Sequence, residues 1–395
     1  MPETGGRIAT ALWLGLFGAS VLLSLLLLEG GLRLATPFPI DSPKANSVPD
    51  PRLGKRMDPA LPEIDERGYR NPDGIDRASV VALGDSHTYG YNVGSDQSWP
   101  AELSRLIGSP VYNFGIGGFG ILQYHDQLRD ALALRPERVL VALYLANDVT
   151  SICGYPRVPH WQQALAGSDD ERRLEASCRT LTRADGQPLE SPPAGRGVVP
   201  ASQSAIRSAL RHLVWMPLRS ELRIRGLVDP EAGRIPVDDP HNGMLVARNR
   251  LIYHARYMNY AEEHPAALAD FARQRLRDMQ RQAEASGARL GVMLVPTRER
   301  VMYPYLIDRG FELPSEWAHL VEVELAATQS FLEFFAEERI DAVDLAPAVA
   351  EALEEGTVYP RREDGHPLAA GYVAYARGAY EAFFESDSVA ARSPR

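Results

Sequence analysis

Four short stretches of this 395-residue chain hold the side-chain types that acyl chemistry needs. Gly84-Asp85-Ser86-His87-Thr88 presents a hydroxyl, and Asn113-Phe-Gly-Ile-Gly-Gly118-Phe-Gly120 supplies a run of glycine N–H groups. Ala146-Asn147-Asp148 offers a side-chain amide, and Glu363-Asp364-Gly365-His366 an acid beside an imidazole. A serine hydroxyl is a weak nucleophile until a base takes its proton, and the base needs an acidic neighbour to hold its tautomer. An Asn amide or a glycine N–H can meet the negative oxygen of a tetrahedral intermediate. Together they make a nucleophile, two groups of potential oxyanion donors and an acid–base pair.

These groups act together only if the fold brings them to one edge. Ser79–Leu83, Val111–Phe114, Arg138–Leu145, Arg289–Val295 and Ile340–Leu345 read as strands. Helical spacing over Trp99–Ile107, Leu122–Leu134, Ala267–Ser286, Glu316–Ala336 and Leu368–Phe384 alternates with them. RVLVALYL at 138–145 is nearly continuous in apolar residues, as a strand covered on both faces must be. Five strands alternating with helices predict a doubly wound, parallel, three-layer α/β sheet, with residues 149–260 as a central insertion. Ligands in such sheets collect beyond the carboxyl ends of the strands. Three of the four stretches directly follow a predicted strand, and the fourth precedes the last helix.

The blocks GDSHTYG, NFGIGGFG, LANDV and EDGHPLAAGY, in that order, resemble those of the SGNH (GDSL-like) serine hydrolases. The resemblance spans residues 80–380 and implies a flavodoxin-like sheet and an esterase activity without cofactor or metal. Carried over by position, Ser86 is the nucleophile and first oxyanion donor, Gly118 the second donor and Asn147 the third. His366 is then the base and Asp364 its partner. The chain departs from the family pattern twice. Many members place the acid three residues before the histidine, where this chain has Glu363; its D-x-H spacing is similar to that of alginate-type O-acetylation proteins. The usual Gly before Asn-Asp is Ala146. The shorter carboxylate favours Asp364 over Glu363.

Other readings compete for the same residues. Gly115-x-Gly117-x-x-Gly120 matches a dinucleotide fingerprint between a strand and a helix. However, no acidic residue closes the next strand about twenty residues on, and the match leaves Ser86 and His366 without a role. No G-x-S-x-G elbow surrounds Ser86, so an α/β-hydrolase fold is not indicated. His87, next to Ser86, reads as structural, and Asp85 and Asp148 as turn or sheet-end hydrogen-bonders. A non-catalytic module that uses the pocket to bind polysaccharide is the rival from another class. The basic stretch with Arg207, Arg211, Trp215, Arg219 and Arg223 reads either as a solvated helix face or as a surface resting on anionic headgroups.

A net charge of −10 is the wrong sign for a phosphate-backbone binder, so nucleic acid is excluded as a partner. Ile8–Leu28 contains no charged residue. As a helix it would rise about 30 Å, enough to cross a bilayer's hydrocarbon core. Residues 1–35 therefore read as an uncleaved single-pass anchor, 36–77 as an extended linker, and 78–395 as the hydrolase domain. The resemblance to anchored envelope enzymes places that domain in the periplasm or outside the cell, where Cys153 and Cys178 would be free to pair. The expected substrate is an acyl ester, acetyl by preference, of an envelope carbohydrate, with a lipid ester as the alternative. Hydrolysis and acyl transfer use the same triad and differ only in the acceptor.

Overall fold

The computed structural model describes residues 20–28 (except 22), 47–181, 215–227 and 233–385. Its centre is a five-stranded parallel sheet formed by β3 (Val80–Gly84), β4 (Val111–Asn113), β5 (Arg138–Tyr144), β8 (Arg289–Val295) and β9 (Asp341–Asp344). The spatial order is β4-β3-β5-β8-β9. The chain leaves β3 in one direction and returns past it to β5, so β3 and β5 flank the point where strand order reverses. Both are buried along their whole length. That is why VVALG and RVLVALY carry no polar alternation.

Two helices make the crossovers around this reversal: α1 (Trp99–Ile107) from β3 to β4, and α2 (Ile121–Ala133) from β4 to β5. Right-handed crossovers running in opposite directions put them on opposite faces of the sheet. The long helices α6 (Glu263–Ala285) and α8 (Ser315–Glu338), and α10 (Ala369–Phe383), complete the covering layers; α10 packs on α1, and α6 on α2. Local chemistry sets the ends of α1. Pro100 stands in its first turn, and Gly108 closes it in the left-handed region at φ 67°. Trp99 and Leu103 are fully buried beneath it.

The strands and long helices lie where periodicity predicts them, to within a few residues, but the connecting segments hold more structure. Within the stretch 36–77, expected to be an extended linker, β1 (Ser47–Asp50) pairs antiparallel with β2 (Gly54–Met57). Asp50 Oδ1 accepts from the N–H groups of Arg52 (2.9 Å) and Leu53 (2.8 Å), which tightens the turn. Leu53, Met57 and Tyr69 then bury themselves singly in the core. Isolated apolar residues among Pro, Asp and Arg leave no periodic signal. The insertion holds α3 (Asp169–Thr180), α4 (Met216–Ile224), the hairpin β6 (Arg234–Val237) with β7 (Met244–Ala247), and α5 (Arg248–Met258). Helices α7 (Arg298–Ile307) and α9 (Ala346–Glu355) follow β8 and β9. Cys153 and Cys178 are joined by a disulfide.

The expected membrane span and the basic stretch up to residue 214 lie mostly outside the described residues. Residues 20, 21 and 23–28 are helical, and Leu23, Leu25, Leu26, Leu27 and Leu28 are exposed. Among the described residues no helix is long and apolar enough to cross a membrane.

Candidate active site

Strand β3 ends at Gly84, and the chain turns at once into a one-turn helix, Ser86–Tyr89. The turn is too tight for a side chain at 84, where a Cβ would sit 2.0 Å from Thr88 Oγ1. Asp85 caps the helix, its Oδ1 accepting from His87 N at 2.8 Å. This geometry holds Ser86 at the carboxyl end of the sheet, 6% exposed. His366 lies 280 residues away in sequence, on the loop before α10, and its Nε2 is 2.8 Å from Ser86 Oγ. Its Nδ1 is 2.7 Å from Asp364 Oδ1, which also accepts from the His366 backbone N–H at 3.0 Å. A proton on Nδ1, shared with Asp364, leaves Nε2 to accept from the serine hydroxyl. Burial would raise the Asp364 pKa, but its bonds to His366 and the nearby Arg362 hold it well below the usual carboxylate range.

The loop carrying Asp364 and His366 is fixed from behind. Buried Arg298 donates from Nη1 to the carbonyls of Arg362 and Asp364, each at 3.0 Å. Asn92 Nδ2 donates to the carbonyl of His366 at 3.0 Å. Glu363 turns away from the imidazole: its Oε2 accepts from Arg234 Nε at 2.7 Å. His87 packs behind His366 with ring centroids 4.8 Å apart, and beside Tyr144 at 4.6 Å. Complete burial lowers its pKa to about 3, so it stays neutral.

Asn147, just beyond β5, lines a cavity of about 270 Å³ together with Ser86, His87, Tyr144 and His366. Its Nδ2 lies 3.3 Å from Asp85 Oδ2. Asp148 accepts from the Tyr144 N–H at 2.8 Å and ties off the end of the strand. Burial, and then the Asp85 charge, push its pKa well above normal. Gly118 stands on the loop after β4, exposed, at φ 78°. It is not among the residues lining the cavity. Lys55, from the β1–β2 hairpin, donates from Nζ to the carbonyl of Gly117 at 2.6 Å. In a planar trans peptide the C=O and the following N–H point to opposite sides, so this bond sets the direction of the Gly118 N–H.

The other glycines of that loop make room for the chain itself. A Cβ would meet Tyr89 N at 2.3 Å from Gly115, Tyr91 Oη at 2.2 Å from Gly117 and Ser151 Oγ at 1.8 Å from Gly120. These glycines are explained by close packing of the protein's own backbone and side chains.

Sequence reasoning passed over α5, whose Arg250, Tyr253, His254 and Tyr257 also line the cavity. Their i, i+3, i+4, i+7 spacing marks one helix face and was the available signal. Lys55 and Tyr91, whose ring meets His366 edge-on at 4.8 Å, were passed over too.

A hydroxyl, an imidazole and a carboxylate in hydrogen-bond series at the switch point of a parallel sheet form the constellation of a serine hydrolase. Residues 82–216, about a third of the chain, match the family model of the GDSL-like Lipase/Acylhydrolase family. No curated protein matches the chain. Among solved structures it is similar to a lipolytic protein of the G-D-S-L family from Desulfitobacterium hafniense, at 14% identity and TM-score 0.35 over 77% of this chain and 98% of the other. A GDSL-like lipase from Bacteroides thetaiotaomicron gives 10% identity and TM-score 0.34 over 79% of this chain and 89% of that one. Likenesses this distant carry no argument about substrate or mechanism.

Proposed function

We propose that the chain is an anchored serine esterase or acyl-transfer enzyme acting on short acyl esters of an envelope carbohydrate. Ser86, His366 and Asp364 are its triad. The observation that carries the reading is the unbroken series from Ser86 Oγ through His366 to Asp364, at 2.8 Å and 2.7 Å. Ser86 Oγ bonds to the ester carbonyl carbon while His366 Nε2 takes the hydroxyl proton. The carbonyl oxygen gains the negative charge, and the N–H groups of Ser86 and Gly118 and the Asn147 amide receive it. When the carbonyl re-forms, the C–O bond to the alcohol breaks and His366 returns the proton to the leaving oxygen. Water or a sugar hydroxyl then attacks the acyl-serine by the same steps in reverse.

The size of the cavity supports a short acyl group over a long lipid chain. At about 270 Å³ it lies just under the roughly 300–1,000 Å³ of typical small-molecule sites. The uncharged run Ile8–Leu28 and the exposed leucines at its described end support an N-terminal anchor on residues 1–35. The Cys153–Cys178 bridge supports an oxidising space outside the cytoplasm, since such bonds do not persist in a reducing one.

The test is turnover of a chromogenic acetyl ester by wild type and Ser86→Ala, with melting temperature as the folding control. Loss of the nucleophile should cost on the order of 10⁶ in kcat. Turnover retained by a folded Ala variant would overturn the assignment, and a wild type inert to every ester and to fluorophosphonate would favour a binding module.

A further inference from the structure

The cavity beside Ser86 holds one group for which acetyl chemistry has no use. Arg250, on α5, lines it together with Ser86, Asn147 and His366. Attack, proton transfer and oxyanion binding are all assigned to other residues, so a guanidinium drawn into this space needs its own explanation.

Its charge is not matched by a partner of its own. The carboxylate that acts on it most strongly is Glu299, and Glu299 already accepts from Arg298 Nη2 at 2.9 Å with both side chains fully buried. Burial would raise the Glu299 pKa, but Arg298 and Arg250 together hold it down to about 2. Two guanidiniums therefore share one carboxylate. His87 and His254, the cavity's other basic groups besides His366, are kept neutral by burial and add no charge. Of these two guanidiniums, Arg250 is the one that lines the cavity.

The hydrogen-bonding capacity of Arg250 is only partly spent, on the Tyr144 hydroxyl and one backbone carbonyl. A guanidinium has five N–H donors. Among the described residues, Arg250 Nη1 reaches the carbonyl of Glu363 at a long 3.4 Å, and Nε is buried without a partner. Its position against the catalytic loop is close: Nη2 would lie 2.8 Å from a Cβ built on Gly365. Gly365 is the residue between Asp364 and His366, so the absence of a side chain there lets the guanidinium approach. A planar fork of donors lining the same cavity as Ser86 matches a carboxylate, which it can hold in a bidentate pair.

We propose that Arg250 forms an anion subsite, and that the natural ester carries a carboxylate within a few bonds of the scissile carbonyl. The inference rests on the esterase reading above and narrows its substrate class. The carboxylate belongs either to a dicarboxylic acyl group or to an acidic sugar that bears the ester, and Arg250 would recognise both by the same contact.

Steady-state kinetics of the full chain on two matched pairs tests this. One pair is an aryl hemisuccinate against its methyl-capped form; the other is an O-acetylated methyl glucuronoside against the O-acetylated methyl glucoside. Wild type should favour the charged member of one pair by roughly 10- to 100-fold in kcat/KM, the size of a charge-assisted hydrogen bond. The responding pair shows which side of the ester carries the charge. Arg250→Gln should bring that ratio close to one, and Arg250→Lys should keep only part of it, because an ammonium cannot form the fork. If Arg250→Gln does not fold, Arg250→Met, which likewise leaves the Arg298–Glu299 pair matched, is expected to show the same loss. Indifference to charge in both pairs, or a preference that survives Arg250→Gln, overturns the subsite. An enzyme that depends on Ser86 but ignores charge would sink only this inference, whereas turnover independent of Ser86 would sink the esterase reading.

Discussion

Replacing Asp364 by Asn tests which carboxylate serves His366, and the structure sets the size of the effect. Oδ1 of Asp364 accepts both the ring Nδ1–H at 2.7 Å and the backbone N–H of His366 at 3.0 Å, and Oδ2 accepts from Arg362 at 3.0 Å. An Asn that keeps its oxygen in the first position preserves the tautomer but loses the negative charge facing the imidazolium. At a charge separation of about 4 Å and an effective dielectric constant near 20, that charge is worth about 4 kcal/mol, or roughly 10³ in kcat. The amide nitrogen would then face the Arg362 guanidinium, donor against donor, which favours the flipped amide. Flipping puts the proton on Nε2, where it blocks proton transfer from Ser86, and moves the loss towards about 10⁴. Glu363→Gln breaks only the pair with Arg234, whose Glu363 side chain is 38% exposed, and should change kcat by less than about fivefold. The assay is kcat and KM on a chromogenic acetyl ester, with circular dichroism to confirm folding. If Glu363→Gln proves more damaging than Asp364→Asn, the geometry has been misread and the three-residue spacing operates.

Further outcomes follow from neighbouring contacts. Asn147→Ala should lower kcat by about 10²–10³ with little change in KM, since the amide meets charge that exists only in the transition state; a change confined to KM would mean that it binds substrate. Lys55→Met frees the Gly117 carbonyl and should lower kcat several-fold with KM intact, and an unchanged kcat would show that the Gly118 N–H needs no such support. Reducing the Cys153–Cys178 bond, which spans 25 residues, should cost roughly 3–4 kcal/mol in urea titrations, and labelling of both thiols without reductant would refute the bridge. Burial lowers His87 and His254 from 6.5 to about 3, so below pH 6.5 the unfolded chain binds protons that the folded one refuses. That stability is complete above pH 6.5 and is lost towards pH 3, at up to ~1.4 kcal/mol per pH unit for each residue. His254→Gln should flatten the slope between pH 6 and 4, and a slope equal to wild type would contradict the burial argument.

Periodicity and local composition marked the strands and long helices because buried parallel strands cannot carry polar alternation and a two-sided sheet demands amphipathic covers. β8 runs over Arg289–Val295, as the sequence alone indicates. Shorter elements were illegible. The β1–β2 hairpin has four residues per strand, and the only apolar anchors around it are isolated in sequence. Helix α5 was lost among the Pro and Gly of the insertion, although Arg250, Tyr253, His254 and Tyr257 keep helical spacing.

The candidate residues Ser86, Asn147, Asp364 and His366 could be named from sequence because chemistry restricts which side chains can share protons, and strand ends restrict where they gather. The choice between Asp364 and Glu363 could not be made firmly that way. Spacing permits both, and only the folded loop turns Asp364 onto the imidazole and Glu363 onto Arg234. Nor could sequence show that Arg250 lies beside Ser86. Their separation of 164 positions spans α1, β4, α2, β5 and most of the insertion, and no local rule links them. Local propensity acts over a few residues, whereas the charge and shape of a cavity come from packing between segments far apart in the chain, so the candidate nucleophile was legible in the sequence and the surroundings proposed to select its substrate were decided by the tertiary structure.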